Sequence, residues 1–141
     1  MKTTEVPFNK HLDIRSAEEN SEFLLYLNAR AEHQNHLGTI HASVLFSLAE
    51  ATSGEFLLNS FKNISKDVIP VVRKAEVKFR KVVNGKISAK AELVGTSKEE
   101  VLDELKKRER ALIKVKAEIY DTDLSKVFSS VFEWFIVMNS Q

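Results

Sequence analysis

Hydrophobic and polar residues alternate in three segments of the second half of the chain, residues 74–81, 86–94 and 112–120. Successive side chains of a β-strand point to opposite faces, so this alternation predicts strands with one face against a core and the other in water. The positions expected to face the core are Ala75, Val77, Phe79, Ile87, Ala89, Ala91, Leu93, Ile113, Val115, Ala117 and Ile119. Residues 127–138 are apolar on both faces and residues 22–30 are short and bounded by polar clusters, which predicts two more strands.

A different pattern fills residues 39–61, a mostly apolar run that is too long for one strand. It predicts a buried central helix. A shorter helix is expected within residues 97–111, where Ser97 and Glu100 form a capping-box pattern ahead of a thin apolar stripe. The fold class is therefore α+β, with an antiparallel sheet of about five strands wrapped around one long helix.

Length, charge and composition narrow the class of protein. The 141 residues suffice for one buried core and contain no repeat or linker, so a single domain over residues 1–141 is expected. The formal net charge of +1 argues against a nucleic-acid partner, and the absence of cysteine excludes disulfides and thiolate catalysis. No leader-like or membrane-spanning apolar run is present, which predicts a cytoplasmic protein without a membrane partner.

One charged residue is out of place in the predicted central helix. Glu50 lies among leucines and alanines, and an ionised carboxylate is costly to bury unless it is paired or functional. Small or polar residues share its helix face at steps of four, three and four; they are Ser43, Ser47 and Gly54. Such a stripe admits either a substrate or a second subunit, so Glu50 either reacts with a substrate or pairs with a cation across a dimer interface.

The residues just before this helix suggest a place for developing negative charge. Gly38 and Thr39 are expected to let the chain turn and to cap the helix. The free N–H groups and the dipole at the start of that helix would then stabilise a carbonyl oxygen that gains negative charge, as acyl transfer requires. The spacing of His33, His36 and His41 is not that of a helical zinc pair, so no metal site is predicted. No GxSxG elbow is present, which argues against a serine nucleophile.

The segment NHLGTIHASVLFSLAEATSG, residues 35–54, resembles the signature region of hotdog-fold thioesterases, especially the phenylacetate-pathway thioesterase group and bacterial relatives. Those families have an asparagine, a histidine followed by small residues, and a helix that reads FSLAD or FSLAE. Asn35, His41, Ala42 and the FSLAE that ends at Glu50 occupy these positions in order. The later stretch VKFRKVVNGKISAKAEL is similar to the strand, turn and strand of the same family, and the resemblance implies the hotdog fold.

The resemblance also implies hydrolysis of an acyl-CoA thioester, with coenzyme A as part of the substrate and no other cofactor. Glu50 would act as general base on water or as nucleophile, and Asn35 would position the water or the thioester. Backbone N–H groups near His41 and Ala42 would hold the thioester oxygen. The family often has two glycines after the histidine, where this chain has Ala42 and Ser43, and glycine is what admits a close approach of the substrate to the backbone.

An oligomer follows from both the pattern and the resemblance. The open stripe around Glu50 and an unpaired sheet edge predict a homodimer, and the two-sided apolar last strand suggests further pairing into a tetramer. The resemblance implies active sites shared between two subunits, with the coenzyme A nucleotide over basic surface. The candidate substrate-binding residues are Gly38, Thr39, Ser43, Ser47, Gly54, Arg73, Arg80 and Lys81.

Two other functions stay open. His36 and Glu50 stand fourteen residues apart, which resembles the spacing in hotdog hydroxyacyl dehydratases, although the prolines that surround the histidine in that family are absent here. A non-catalytic module that binds acyl thioesters is the third, and the pair Ala42 and Ser43 favours it. A screen of acyl-CoA esters for thiol release separates all three functions.

Overall fold

The computed structural model describes residues 2–64 and 67–139. Its elements are α1 (Pro7–His11), β1 (Arg15–Ser16), β2 (Leu25–Asn28), α2 (Ala42–Ser60), β3 (Val68–Phe79), β4 (Lys86–Val94), α3 (Lys98–Arg108), β5 (Arg110–Tyr120) and β6 (Lys126–Met138), with single 3-10 turns at Thr3–Glu5 and Ala31–His33. The six strands form one antiparallel sheet in the order β1-β2-β4-β5-β6-β3. The predicted α+β arrangement is confirmed. The sheet has six strands instead of about five because the two-residue strand β1 pairs with β2.

The core lies between α2 and the middle of the sheet, where β2, β4 and β5 pack against the helix. Every inward position predicted for β5 is fully buried, as are Ile87 and Ala89 of β4, while Ala91 and Leu93 are partly buried against the same core. Burial of apolar surface stabilises the folded state by about 25 cal/mol per Å². The hydrophobic positions that alternate in β4 and β5 are therefore those that α2 covers.

The prediction for β3 is wrong in two respects. The strand begins at Val68 instead of residue 74, and residues 69–81 are all exposed, including Val77 and Phe79 at 37% and 51%. It is the last strand of the sheet and, among the described residues, pairs with β6 alone, so its apolar side chains are only partly covered, as where the Phe79 ring packs against the Phe128 ring. Pro70 fits there because an edge strand has one row of unpaired backbone groups, which makes a missing N–H tolerable.

The N-terminal segment packs along α2, which the sequence did not predict. The Thr3 hydroxyl donates to the Glu55 carboxylate over 2.8 Å, and the Asn9 amide donates to the Thr3 carbonyl over 3.0 Å. Thr3 and Asn9 are both buried, so these hydrogen bonds satisfy polar groups that would otherwise be costly to bury. The segment from the first 3-10 turn to α1 is thereby fixed beside the central helix.

The second predicted helix is confirmed as α3, with the expected cap. The Glu100 N–H donates to the Ser97 hydroxyl over 3.2 Å, and that hydroxyl donates to the Glu100 carboxylate over 3.3 Å. Glu109, with φ of 59°, ends the helix in the left-handed region, and β5 starts at once. In residues 2–64 and 67–139 no helix is long and apolar enough to cross a membrane.

Candidate active site

The start of α2 is capped by a histidine. The His41 ring accepts a hydrogen bond at Nδ1 from the Ser43 N–H over 2.9 Å, and the His41 N–H donates to the His33 carbonyl over 2.8 Å. The expectation that Gly38 and Thr39 would cap the helix is wrong, because the helix begins later, at Ala42. The expected turn at Gly38 is confirmed by its φ of 76°, which favours glycine.

Asn35 organises the loop that leads to this cap. Its side-chain oxygen accepts from the N–H groups of Leu37 at 2.9 Å and Thr39 at 3.1 Å, and its amide donates to the Thr39 hydroxyl over 3.0 Å. These bonds are typical of an Asx-type turn. The side chains of Asn35 and Thr39 are thus engaged within their own loop, and the predicted role of Asn35 in positioning water or thioester stays a prediction.

One N–H group at the start of α2 is available to a ligand. Of the two backbone donors expected to hold a thioester oxygen, the His41 N–H is already bonded to His33, and the neighbouring Ser43 N–H is used by the cap. The Ala42 N–H has no partner among the described residues, and Ala42 is exposed. The positive end of the α2 dipole is therefore presented mainly through Ala42.

Glu50 lies two turns further along the helix, on its accessible side. Its side chain is half-buried, and no hydrogen bond or ion pair joins it to the residues that the structure describes. Burial raises the pKa of the Glu50 carboxyl above its ordinary value. The predicted stripe is real: Ser43 is exposed, while Ser47 and Gly54 are half-buried like Glu50, and the Ser47 hydroxyl donates to the Ser43 carbonyl over 2.7 Å.

Glu50 lines a groove of about 510 Å³ between α2, the edge of the sheet and the N-terminal segment. The lining is mostly apolar. It consists of Thr3, Val6, Phe8, Asn9, Glu50, Ala51, Gly54, Leu58, Pro70, Val71, Val72 and Trp134. Apolar clefts with few polar groups are typical of small-molecule sites, so this groove is the candidate binding site for a substrate.

Trp134 forms one wall of the groove and is held in place by hydrogen bonds. Its indole N–H donates to the Ser53 hydroxyl over 2.9 Å, and that hydroxyl donates to the Glu50 carbonyl over 2.7 Å. Two ring carbons lie 3.5 and 3.6 Å from the point where a Cβ on Gly54 would stand. A glycine at this position therefore keeps the groove open beside the indole. Sequence reasoning found Gly54 on the stripe but missed Trp134, which comes from β6.

The histidines do not assemble around Glu50. His36 is exposed in the loop before α2 and does not line the groove. His33 is buried, its Nδ1 accepts from the Arg30 N–H over 3.0 Å, and burial lowers its pKa with help from the Arg30 charge. Across residues 2–64 and 67–139, no three His, Asp or Glu side chains converge as metal ligands would.

The three basic candidates lie along β3 and the loop that follows it, outside the groove. Arg73 is the extra residue of a bulge between Val72 and Lys74, and its Nε is 3.7 Å from a Glu133 carboxylate oxygen. Arg80 donates from Nε to the Ser129 hydroxyl over 2.9 Å. The Lys81 ammonium is 3.5 Å from Asp121. Within one subunit the structure does not bring these residues to Glu50.

The comparisons with known proteins agree with this fold. The family model described as a domain of unknown function, DUF4442, matches residues 5–136. No curated protein matches the chain. A Pseudomonas aeruginosa protein described as a probable thioesterase is 25% identical, with a TM-score of 0.81 over 96% of this chain and 91% of its own.

Two further solved structures share the architecture at lower identity. A thioesterase from Haemophilus influenzae is 14% identical, with a TM-score of 0.74 over 98% of this chain and 87% of its own. A Bacillus halodurans protein solved with CoA is 15% identical, with a TM-score of 0.68 over 89% of this chain and 72% of its own. The hotdog fold expected from the resemblance is confirmed.

Proposed function

We propose that this chain, which belongs to the DUF4442 family, hydrolyses an acyl-CoA thioester to a free acid and coenzyme A, with Glu50 as the reacting carboxylate. The observation that carries the proposal is a half-buried carboxylate of raised pKa at an apolar groove, with no partner in the part of the chain that the structure describes. The likeness to proteins described as thioesterases, one of them solved with CoA, supports the same chemistry.

Glu50 is suited to be a general base. A base works best when its pKa approaches the working pH, and burial moves the Glu50 pKa in that direction. The carboxylate accepts a proton from water as the water attacks the thioester carbonyl, and coenzyme A then leaves as a thiolate. The alternative, attack by Glu50 itself through an acyl anhydride, uses the same carboxylate.

The oxygen of the tetrahedral intermediate needs donors that the same helix cannot supply. Ala42 and Glu50 are eight residues apart in α2, which is about 12 Å along the axis. A thioester carbonyl next to Glu50 is therefore out of reach of the Ala42 N–H of the same chain, since a hydrogen bond spans about 3 Å. A homodimer supplies the missing donor when the carboxylate of one subunit faces the helix start of the other.

Other features favour the dimer. The edge strand β3 exposes apolar side chains over its whole length, and an edge of this kind is normally covered or paired. Arg73, Arg80 and Lys81 lie along this strand and the loop after it, and they remain the candidates for binding the phosphates of coenzyme A. Pairing of dimers into tetramers stays a prediction.

The first experiment replaces Glu50 by Gln and measures thiol release from a panel of acyl-CoA esters. We expect a loss of roughly two or more orders of magnitude, the size typical of a lost general base. Glu55→Gln is the matched control on the same helix, because glutamine can still accept the Thr3 hydrogen bond. Undiminished hydrolysis by a folded Glu50→Gln protein refutes the proposal.

The shared site has its own test. Ala42→Pro removes the available N–H at the first helical position, where proline fits a helix, and Ala42→Gly is the control that keeps the N–H. The Ala42→Pro and Glu50→Gln proteins should each be inactive on their own. When these two chains are refolded together, activity should return to roughly a quarter of the wild-type value, because half of the dimers are mixed and each mixed dimer has one intact site out of two. No recovery in verified mixed dimers contradicts a shared site.

The same assays decide between the remaining functions. His36→Ala should leave thiol release unchanged, because His36 lies in an exposed loop outside the groove. A dehydratase would instead lose hydration activity in that variant. Binding of acyl-CoA esters without any thiol release would favour the non-catalytic module.

A further inference from the structure

The groove beside Glu50 continues along α2 away from the carboxylate, and its lining there is mostly apolar; the polar groups of Thr3 and Asn9 are already hydrogen-bonded within the subunit. It passes Ala51 and Gly54 and reaches Leu58, with Pro70, Val72 and Trp134 opposite. The N-terminal segment adds two exposed apolar side chains, Val6 at 37% and Phe8 at 59% exposure. A lining of this kind suits the hydrocarbon part of a substrate and does not suit a charged nucleotide.

The length of this part can be estimated from helix geometry. Glu50 and Leu58 are eight residues apart, and eight residues of α-helix advance about 12 Å. An extended chain advances about 1.1–1.2 Å per bond, since three backbone bonds of an extended peptide span about 3.3–3.6 Å. The groove from Glu50 to Leu58 therefore accommodates a chain of about ten bonds.

The groove ends at Leu58 and Pro70, which also line a second, nearly filled pocket. That pocket has a volume of about 10 Å³, which is at the lower limit for a single water. Its lining is entirely apolar and consists of Leu57, Leu58, Phe61, Ile64, Val68, Pro70, Leu105 and Ile136. Leu58 thus stands between an open groove and a closed apolar junction, and a shorter side chain at this position would join the two.

We infer that the groove holds the acyl chain of the thioester and that Leu58 closes its end, so that Leu58 sets an upper limit on acyl length of about ten bonds from the reacting carbonyl. This inference rests on the proposed function, because it takes Glu50 as the position of that carbonyl. Substrates with a straight chain of medium length are then preferred over longer ones. Leu58 is a specificity-determining residue that takes no part in the chemistry.

The test compares kcat/KM over straight-chain acyl-CoA esters from acetyl to palmitoyl. Leu58→Ala should raise the ratio of palmitoyl to octanoyl hydrolysis by about tenfold or more, the range that a few methylene contacts are worth in a pocket. Leu58→Phe should move the preferred length in the opposite direction. Leu93→Ala, a Leu→Ala change at a partly buried position outside the groove, should leave the ratio as in wild type.

Binding measured without turnover separates this inference from the proposed function. Affinities of the same esters for Glu50→Gln protein, with and without Leu58→Ala, report the length limit even where no hydrolysis occurs. If hydrolysis depends on Glu50 but neither Leu58 variant changes the length profile, the inference fails and the proposed function stands. If affinities follow Leu58 while Glu50→Gln hydrolyses normally, the proposed function fails and the groove assignment stands. Affinities independent of chain length overturn the inference.

Discussion

Gly54 offers a test in which stability and substrate range change in opposite directions. It lies inside α2, where glycine costs about 1 kcal/mol relative to alanine. A Cβ at this position would meet the Trp134 ring at 3.5 and 3.6 Å, an ordinary van der Waals distance, and no strained backbone is involved. Gly54→Ala should therefore increase the free energy of unfolding by about 1 kcal/mol and raise Tm by about 3 °C for a domain of this size.

The added methyl group occupies the groove between Glu50 and Leu58. It should lower the ratio of octanoyl to acetyl hydrolysis, because the longer chain must pass the narrowed section beside the indole. Thermal unfolding and the acyl-CoA series measure the two effects on the same preparation. A variant that is more stable and keeps the wild-type length profile would show that acyl chains do not pass Gly54.

A control with the opposite sign is available in the turn before β4. Gly85 has φ of 82° and no atom within 4 Å of a Cβ, so Gly85→Ala meets no steric neighbour but forces alanine into the left-handed region. It should destabilise the protein by about 1 kcal/mol, while the length profile stays as in wild type. If Gly54→Ala destabilises to the same extent as Gly85→Ala, the packing beside Trp134 is tighter than the structure indicates and the reasoning fails.

Two further predictions concern pH. Burial raises the folded-state pKa of Glu50, so the stability that this carboxyl contributes is fully present below the ordinary carboxyl pKa and is lost as pH rises through the folded pKa. Glu50→Gln should therefore stabilise the protein at neutral pH, and the gain should disappear near pH ~4. Denaturant unfolding at both pH values measures this difference. Burial and the Arg30 charge lower the folded-state pKa of His33, so the stability of the protein should fall as pH drops below about 6.5. His33→Gln should make stability depend less on pH in the same assay. An unchanged pH dependence would contradict a buried, neutral His33.

The elements that could be predicted from the sequence are those whose hydrophobic positions are buried by another element of the same subunit. The alternation in β4 and β5 is matched by α2 on one face and water on the other, and the apolar run of α2 is matched by the core. The equally regular alternation in β3 is only partly covered by the described part of the subunit, so pattern alone placed Val77 and Phe79 in a buried core although both are exposed. Local pattern cannot distinguish a core inside a subunit from a surface covered by another one.

The candidate site was predictable where a residue conflicted with its surroundings and unpredictable where it depended on packing between elements far apart in the sequence. Glu50 stood out because a carboxylate interrupts an apolar helix, and Gly54 because it shares the same face. The contact of Trp134 with Ser53 joins residues from β6 and α2, so no local signal announces it. The His41 cap was missed because imidazole is an uncommon cap and serine, threonine and asparagine are preferred.

Three features of the groove contribute little to folding or oppose it, and the acyl-thioester ligand proposed above gives each of them a role. The Glu50 carboxylate is desolvated without a partner among the described residues, Gly54 weakens the middle of α2, and Phe8 exposes an aromatic side chain to water. If folding alone determined these positions, glutamine would be favoured over Glu50, alanine over Gly54 and a polar side chain over Phe8. A ligand with a reactive carbonyl and an apolar chain requires instead a free carboxylate, an open passage and an apolar wall along one helix face. The coincidence of these three features in one groove therefore supports the proposed binding site over an ordinary gap in packing.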